Sequence, residues 1–364
     1  MTTKKKVVVA MSGGVDSSVA AALLLEQGYE IIGITMQIWD PGITEVEGEH
    51  VGCCSFTAVE DARRVASQLG IPYYVMNFRD IFEEKVIKYF TSEYLRGRTP
   101  NPCIACNRYV KFEALLDKAL GLGADYIATG HYARLEYSPT HGRYTVRRAY
   151  DQKKDQTYVL YGLTQQQLAR TLMPLGEYNK EQVRKMAGDL GMSVATKAES
   201  QEICFVVDDN YRNFLRDQAS DIQPGHFLNM KGEVIGRHQG IPFYTIGQRR
   251  GLGLAGGQRL YVVNIDQEHN TITVGTEEAI LDTDLIAKDI NLVLYASLTE
   301  TLEVEAQVRY NGSPAPATLK LLEGERLHVH FQNPQRSITP GQAVVFYQGD
   351  YLVGGATIER AGSE

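Results

Sequence analysis

A chain of 364 residues exceeds the usual single domain, so two or three domains, each with a sizeable core, are expected. No apolar stretch is long enough to span a membrane, and the opening Met-Thr-Thr-Lys-Lys-Lys runs straight into a strand, which points to a cytoplasmic protein with no membrane partner. Five cysteines are too few for a disulfide scaffold, and a net charge of -7 does not advertise a polyanion ligand, so any nucleic-acid contact needs a local basic face.

Val7 to Ala10 is a short apolar run of the kind that forms a parallel strand covered on both faces. Val15, Val19, Ala22 and Leu23 then recur at helical spacing, with Gly28 placed to end the helix. The turn between them, Ala10-Met11-Ser12-Gly13-Gly14-Val15-Asp16-Ser17, combines two glycines, hydroxyls and a helix start. Glycines let the backbone approach an oxygen, the first helical N–H groups attract negative charge, and Ser12, Ser17 and Ser18 add hydroxyls, so the turn reads as an anion cradle. It is neither the Gly-Lys-Ser/Thr loop nor GxGxxG.

The alternation continues with a strand over Glu30 to Gln37, a helix over Phe56 to Leu69, a strand over Tyr73 to Phe78 and an amphipathic helix over Arg79 to Leu95. Gly97 to Cys106 holds two prolines and is expected to be irregular, before a helix over Asn107 to Leu120 and a strand over Asp125 to Thr129. Such βα repetition predicts a doubly wound parallel α/β sheet whose ligand sits at the carboxyl ends of the strands, where the cradle, Met36 and Gly130 fall.

After His131 the texture changes. A hairpin is expected over Arg134 to Arg148, turning at His141-Gly142, then helices near Gln165 to Arg170, Lys180 to Leu190 and Tyr211 to Arg216. The Gly-rich run Gly247 to Gly253 precedes a strand over Leu260 to Ile265. Alternating segments such as Val304 to Tyr310, Arg326 to Phe331 and Ala343 to Tyr347 suggest a small β-barrel. The expected domains are 1–207, a small mixed central domain over 208–276, and a C-terminal barrel over 277–364.

Cys103-x-x-Cys106 stands just before a helix, whose positive N-terminus lowers a thiol pKa and sharpens its nucleophilicity. Cys204 ends a loop able to return to the same sheet edge, whereas Cys53 and Cys54 read as structural or incidental. The basic pairs Arg63-Arg64, Arg147-Arg148, Lys153-Lys154, Arg184-Lys185 and Arg249-Arg250 are candidates for phosphate contact, although each alone is more often a solvated surface.

SGGVDSS resembles the pyrophosphate loop of the ATP pyrophosphatase superfamily. With GRTPNPCIACN, ATGHYAR, KKDQTYVLY, ICFV and PGQAVVFY, in order along the whole chain, the sequence resembles the tRNA-specific 2-thiouridylases. That resemblance implies an enzyme that uses ATP and Mg²⁺ to adenylate a wobble uridine and then inserts sulfur at C2, with Ala10 to Ser17, Met36 and Gly130 on the nucleotide; Asp16 is the candidate for helping to position the metal. It implies that Asn101, Pro102 and Cys103 face the target base, that Cys106 is the nucleophile, and that Cys204 carries a persulfide and ends in a disulfide with Cys106. The sulfur would come from a sulfur-carrier protein or a cysteine desulfurase. Contacts with tRNA are implied for His131, Lys154, Asp155, Gln156, Arg309, Tyr310 and Gln342; on their own residues, His131 reads as a strand-end histidine and Arg309-Tyr310 as an ordinary barrel pair.

Cys103 departs from the commonest pattern, where many relatives have an acidic residue. Three thiols, Cys103, Cys106 and Cys204, would also suit a [4Fe-4S] cluster with one open iron site; structural zinc lacks a fourth ligand. The rival readings are an ammonia-using synthetase of the same superfamily, which needs no paired cysteines, and a nucleotide-sensing RNA-binding protein without turnover.

Overall fold

The computed structural model describes residues 4–38, 56–198, 203–206, 210–219, 221–254 and 258–362; Cys53 and Cys54 lie outside them. The chain divides into two compact units. One comprises Met1–Val86, Cys103–Asp209 and Asp350–Leu352, and the other Ile87–Pro102, Asn210–Gly349 and Val353–Glu364.

In the first unit, strands β1 (Lys6–Ala10), β2 (Glu30–Gln37), β3 (Tyr73–Asn77) and β4 (Tyr126–Ala128) precede a hairpin of β5 (Arg134–Ser138) and β6 (Arg143–Arg147) and the short β7 (Thr171–Leu172). The parallel sheet has the order β3-β2-β1-β4-β7. At its centre Val9 pairs with Gly33 on one side and Ala128 on the other. Val7 and Val9 pack with residues of helices α1 (Val15–Glu26) and α2 (Phe56–Leu69) and of the Lys180–Asp189 helix. Val8, which alternation sends to the opposite face, is equally buried, so the central strand is apolar throughout. Strand order reverses between β1 and β4, and the turn leaving β1 sits at this switch point, where open α/β sheets bind their ligands.

The Pro-rich segment corrects one expectation. The chain is irregular only through Asn101; Pro102–Ala105 is already α-helical, Cys106–Ala114 continues with π-helical winding, and Leu115–Gly121 is α-helical again. Proline at a first helical position removes an N–H that the helix start leaves unbonded anyway, and its fixed φ suits the helix. Cys103 therefore lies inside the first turn and Cys106 one turn further in. A second π-helical stretch, Glu83–Ile87, interrupts the predicted long helix between Arg79–Phe82 and Lys88–Leu95.

The second unit holds a mixed four-stranded sheet and a barrel. The sheet is built from Gly225–Leu228, Val234–His238, Tyr261–Asp266 and Thr271–Gly275, with the first and last of these parallel. The barrel runs in the order Leu281–Leu292, Arg326–Arg336, Ala315–Leu322, Leu302–Gln307, Ala343–Gln348 and Tyr351–Ala361, and its first and last members pair to close it. Closure leaves no free edge, and the alternating inward residues Leu285, Leu319, Leu327, Val329, Phe331 and Phe346 form a fully buried core. The strand expected over Val304 to Tyr310 stops at Gln307, whose side-chain amide donates to the Arg309 and Tyr310 carbonyls at 3.0 and 2.8 Å and shapes the turn that follows. Among the described residues, no helix is long and apolar enough to cross a membrane.

The segment leading to Asn101 is fastened within this unit. Arg98 Nε donates to Glu93 Oε2 at 2.7 Å and Arg98 donates to the Ile358 carbonyl at 3.2 Å, while Thr99 N donates to Pro340 O at 2.9 Å. Glu93 is buried, and Arg96 stands 3.6 Å from its other oxygen. Arg98→Ala is therefore expected to cost roughly 2–3 kcal/mol, since it strands a buried carboxylate with only the weaker partner. A lowered urea midpoint for that variant, partly recovered by adding Glu93→Gln, checks the assignment.

Candidate active site

The cradle is held where it leaves the sheet. Met11 N donates to Ile34 O at 2.8 Å, Thr35 Oγ1 donates to Met11 O at 2.6 Å, and Tyr73 OH donates to Thr35 Oγ1 at 2.7 Å. Gly13 has φ +67°, and a Cβ there would come within 2.0 Å of the Ala58 carbonyl oxygen, so only glycine fits. Gly14 caps α1 without any side-chain hydrogen bond, leaving the first-turn amides to an outside acceptor. The serines brace the turn: Ser17 Oγ accepts from Ser12 N at 3.1 Å and donates to Gly14 O at 3.2 Å, and Ser18 Oγ donates to Gly14 O at 2.9 Å.

Gly130, at the end of β4, closes on this helix start. An added Cβ would lie 2.7 Å from Ser17 N and 2.8 Å from the Asp16 carbonyl carbon. Met36, half-buried, follows Thr35 on β2 in register with Met76.

Two residues missed in the sequence complete the site. Lys180 Nζ lies 2.8 Å from each Asp16 carboxylate oxygen, and Tyr132 OH donates to Asp16 Oδ1 at 2.7 Å. Lys180 is buried, at the first position of a helix capped by Asn179. Nearby, Lys197 Nζ donates to Gly13 O at 3.1 Å and to Asp61 Oδ2 at 2.6 Å. Tyr132 sits in the ATGHYAR motif and was within reach of sequence reading; Lys180 lies 164 residues from Asp16 and carried no local signal. Asp16 offers the hard oxygen donor that Mg²⁺ prefers, and direct ligation would require its ion pair with Lys180 to open.

His131 is buried, its Nδ1 2.8 Å from Thr129 Oγ1, with its ring 5.8 Å from that of Phe112. Burial, with the Lys111 charge in second place, holds its pKa well below the ordinary histidine range, so the imidazole is neutral. Gln156 Oε1 accepts from Tyr132 N at 3.0 Å, and Gln156 N donates to Tyr132 O at 3.0 Å. Asp155 accepts from Ala149 N at 2.8 Å and from Thr157 Oγ1 at 2.5 Å; burial pushes its pKa up against these bonds and Arg148. Of the Lys154-Asp155-Gln156 run, then, the Gln156 side chain holds the backbone at Tyr132, while Asp155 ties Ala149 to Thr157.

Cys103 is exposed, while Cys106 and Cys204 are half-buried. Asn107, next to Cys106, donates to Val159 O at 3.0 Å and ties this helix to the turn after Gln156. Phe205 anchors the Cys204 turn, its ring 5.9 Å from Phe82, and the Cys106–Ala114 segment packs on the same Arg79–Phe82 helix. Both cysteine-bearing segments thus rest on one short helix. Among the described residues, no group of three His, Cys, Asp or Glu side chains is placed to hold a metal ion.

In the second unit, Gln342 Nε2 donates to Thr99 O at 2.9 Å and to Pro100 O at 3.4 Å, immediately before half-buried Asn101 and buried Pro102. Arg309 and Tyr310 stand exposed on the turn after the Leu302–Gln307 strand.

Three family models cover the chain in order: the tRNA methyl transferase HUP domain over residues 5–208, the tRNA methyl transferase PRC-barrel domain over 212–276, and the aminomethyltransferase beta-barrel domain over 282–358. The chain is 73% identical to the tRNA-specific 2-thiouridylase MnmA of Pelotomaculum thermopropionicum, over 99% of its own length and 98% of that relative. The chain belongs to the tRNA-specific 2-thiouridylase family. The proteins of the same name from Desulforamulus reducens and Carboxydothermus hydrogenoformans are 63% and 60% identical, over 99% and 98% of this chain and 98% of each relative. Family membership makes ATP the nucleotide expected at the cradle.

Gly130→Ala is therefore expected to weaken ATP binding about ten- to a hundredfold, the equivalent of the ~1–3 kcal/mol that overpacking costs. Equilibrium titration with ATP checks this, and unchanged affinity would count against the cradle. For His131 the sign is also set. Its folded pKa is depressed, so the unfolded chain takes up a proton that the folded one refuses, and stability falls as pH drops below about 6.5, by up to about 1.4 kcal/mol per unit. His131→Asn should flatten that part of the stability profile between pH 7.5 and 5.5.

Proposed function

We propose that this family member thiolates a tRNA uridine at C2 by adenylation followed by a two-cysteine sulfur relay. The observation that carries the proposal is the uncapped start of α1, walled by Gly13 and Gly130, in a chain 73% identical over 99% of its length to a tRNA-specific 2-thiouridylase. The C2 oxygen of uridine is a poor leaving group. Its attack on the α-phosphate of ATP converts it to a phosphate ester and expels pyrophosphate, whose charge suits the α1 amides and hydroxyls. Mg²⁺, when bound, would offset that same charge, and Asp16 is the residue to hold it.

Sulfur follows. The outer sulfur of a Cys204 persulfide attacks C2 and AMP departs, leaving the base joined to Cys204 through two sulfurs. The Cys106 thiolate then attacks Cys204 Sγ, releasing 2-thiouridine and forming a Cys106–Cys204 disulfide that an external dithiol reduces. The support of both cysteine segments by the one helix Arg79–Phe82 is what favours this relay. A sulfur-carrier protein or cysteine desulfurase would load Cys204. Asn101, Pro102 and Cys103 would face the base, which leaves a single-stranded loop at small cost, while His131, Lys154, Arg309, Tyr310 and Gln342 would meet the surrounding tRNA.

The test is incubation with ATP, Mg²⁺, a persulfide donor and undermodified tRNA, followed by nucleoside mass spectrometry. Cys106→Ser and Cys204→Ser should each abolish 2-thiouridine while tRNA-dependent pyrophosphate release persists, and Cys103→Asp should remain active. Wild-type turnover that appears only after iron and sulfide are supplied would reject the relay.

A further inference from the structure

The Gly-rich run of the central sheet region has no part in the site described above, yet it is built with care. Gly247 N donates to Val262 O at 2.8 Å and Val262 N donates to Gln248 O at 3.0 Å, which pins the run to the Tyr261–Asp266 strand. Gln248 then spans its own loop: Oε1 accepts from Thr245 N at 3.1 Å and Nε2 donates to Arg250 O at 3.0 Å. Gly247 has φ +83°, and a Cβ there would lie 2.1 Å from Ser337 Oγ. On the far side Leu252 is buried, and Leu254 fills the space over Gly236, where a Cβ would come within 2.5 Å of it.

Between these anchors Arg249 and Arg250 are exposed, and neither guanidinium has a hydrogen bond or ion pair among the described residues. Arg212, whose guanidinium lies 5.8 Å from the Tyr244 ring centre, comes within 3.8 Å of where a Gly251 Cβ would stand, which adds a third positive charge beside the loop. Fixing a backbone this thoroughly to hold two unpaired arginines at its tip, in a chain of net charge -7, indicates a ligand with regularly spaced negative charge. The loop tip itself offers no aromatic or aliphatic anchor of the sort a protein partner needs, because Leu252 points inward and its neighbours are glycines.

We propose that the Gly247–Gly253 loop is a phosphate clamp that grips the sugar–phosphate backbone of the substrate tRNA through Arg249 and Arg250. The inference rests on the tRNA-thiolating reading above. Binding of undermodified tRNA to the full chain, measured across a salt titration, tests it with the Arg249→Ala/Arg250→Ala double variant. The slope of log affinity against log salt should become shallower by about 1 to 2, as loss of one or two phosphate contacts requires, and affinity at low salt should fall at least about tenfold. ATP affinity and the thermal midpoint should not move, since both side chains are exposed, and Arg249→Lys/Arg250→Lys should regain most of the slope. Identical tRNA binding by the double alanine variant overturns the clamp. So does a variant that binds tRNA normally but no longer accepts sulfur from a protein donor, which would reassign the loop to that partner. Failure of the unaltered chain to bind tRNA at any salt would instead reject the underlying functional reading.

Discussion

The arrangement of the cradle depends on two places where a methyl group has no room. At Gly13 the backbone of the β1–α1 turn presses against the Ala58 carbonyl, and at Gly130 the end of β4 presses against the first turn of α1. Both contacts are backbone against backbone, so no side-chain rotation can relieve them. They fix the height of the helix start relative to the strand ends, and with it the direction of the uncapped amides. The serines, the Thr35–Met11 bond and Tyr73 hold a turn whose path those two glycines have already set.

Charge is managed around the same helix start. Asp16 would be a costly carboxylate at a partly buried position without Lys180 and Tyr132, and Lys180 would be a costly buried cation without Asp16. Their pairing makes the site electrically quiet in the absence of an anionic ligand while keeping a buried cation beside the cradle. Beyond the cradle, polar side chains are likewise paired: the neutral, buried His131 with Thr129, Asp155 with the Ala149 backbone, and Gln156 with the backbone of Tyr132. The cysteine helix joins the same framework through Asn107, and its π-helical winding begins at Cys106, a kind of irregularity that recurs at functional sites.

The barrel and central sheet unit solve a different problem. Closing the barrel removes edge strands, and the turn after the Leu302–Gln307 strand leaves Arg309 and Tyr310 exposed. Gln342 spends its amide on the carbonyls of Thr99 and Pro100, which places a barrel residue in charge of the chain that enters the Asn101-Pro102 segment.

Periodicity and punctuation determined the parallel sheet, its first helices and the barrel strands, because burial on two faces, amphipathic helices and closed sheets each impose a period that residues must obey. Glu30–Gln37 and Phe56–Leu69 came out at the predicted bounds for this reason. The cradle was legible too, since its glycines, serines and aspartate are contiguous. Pro102 misled the reading: the same residue that breaks a helix interior is favoured at its first turn, and only the path of the chain around it decides which rule applies. Lys180 with Asp16, Gln342 with Thr99, and the shared support of Cys106 and Cys204 on Arg79–Phe82 were beyond sequence reading, because each joins residues far apart along the chain through packing and carries no periodic trace. What the sequence by itself determined was the set of elements and the cradle; the partners of its charges and the support of its thiols were decided by tertiary structure, where separation along the chain no longer limits which groups meet.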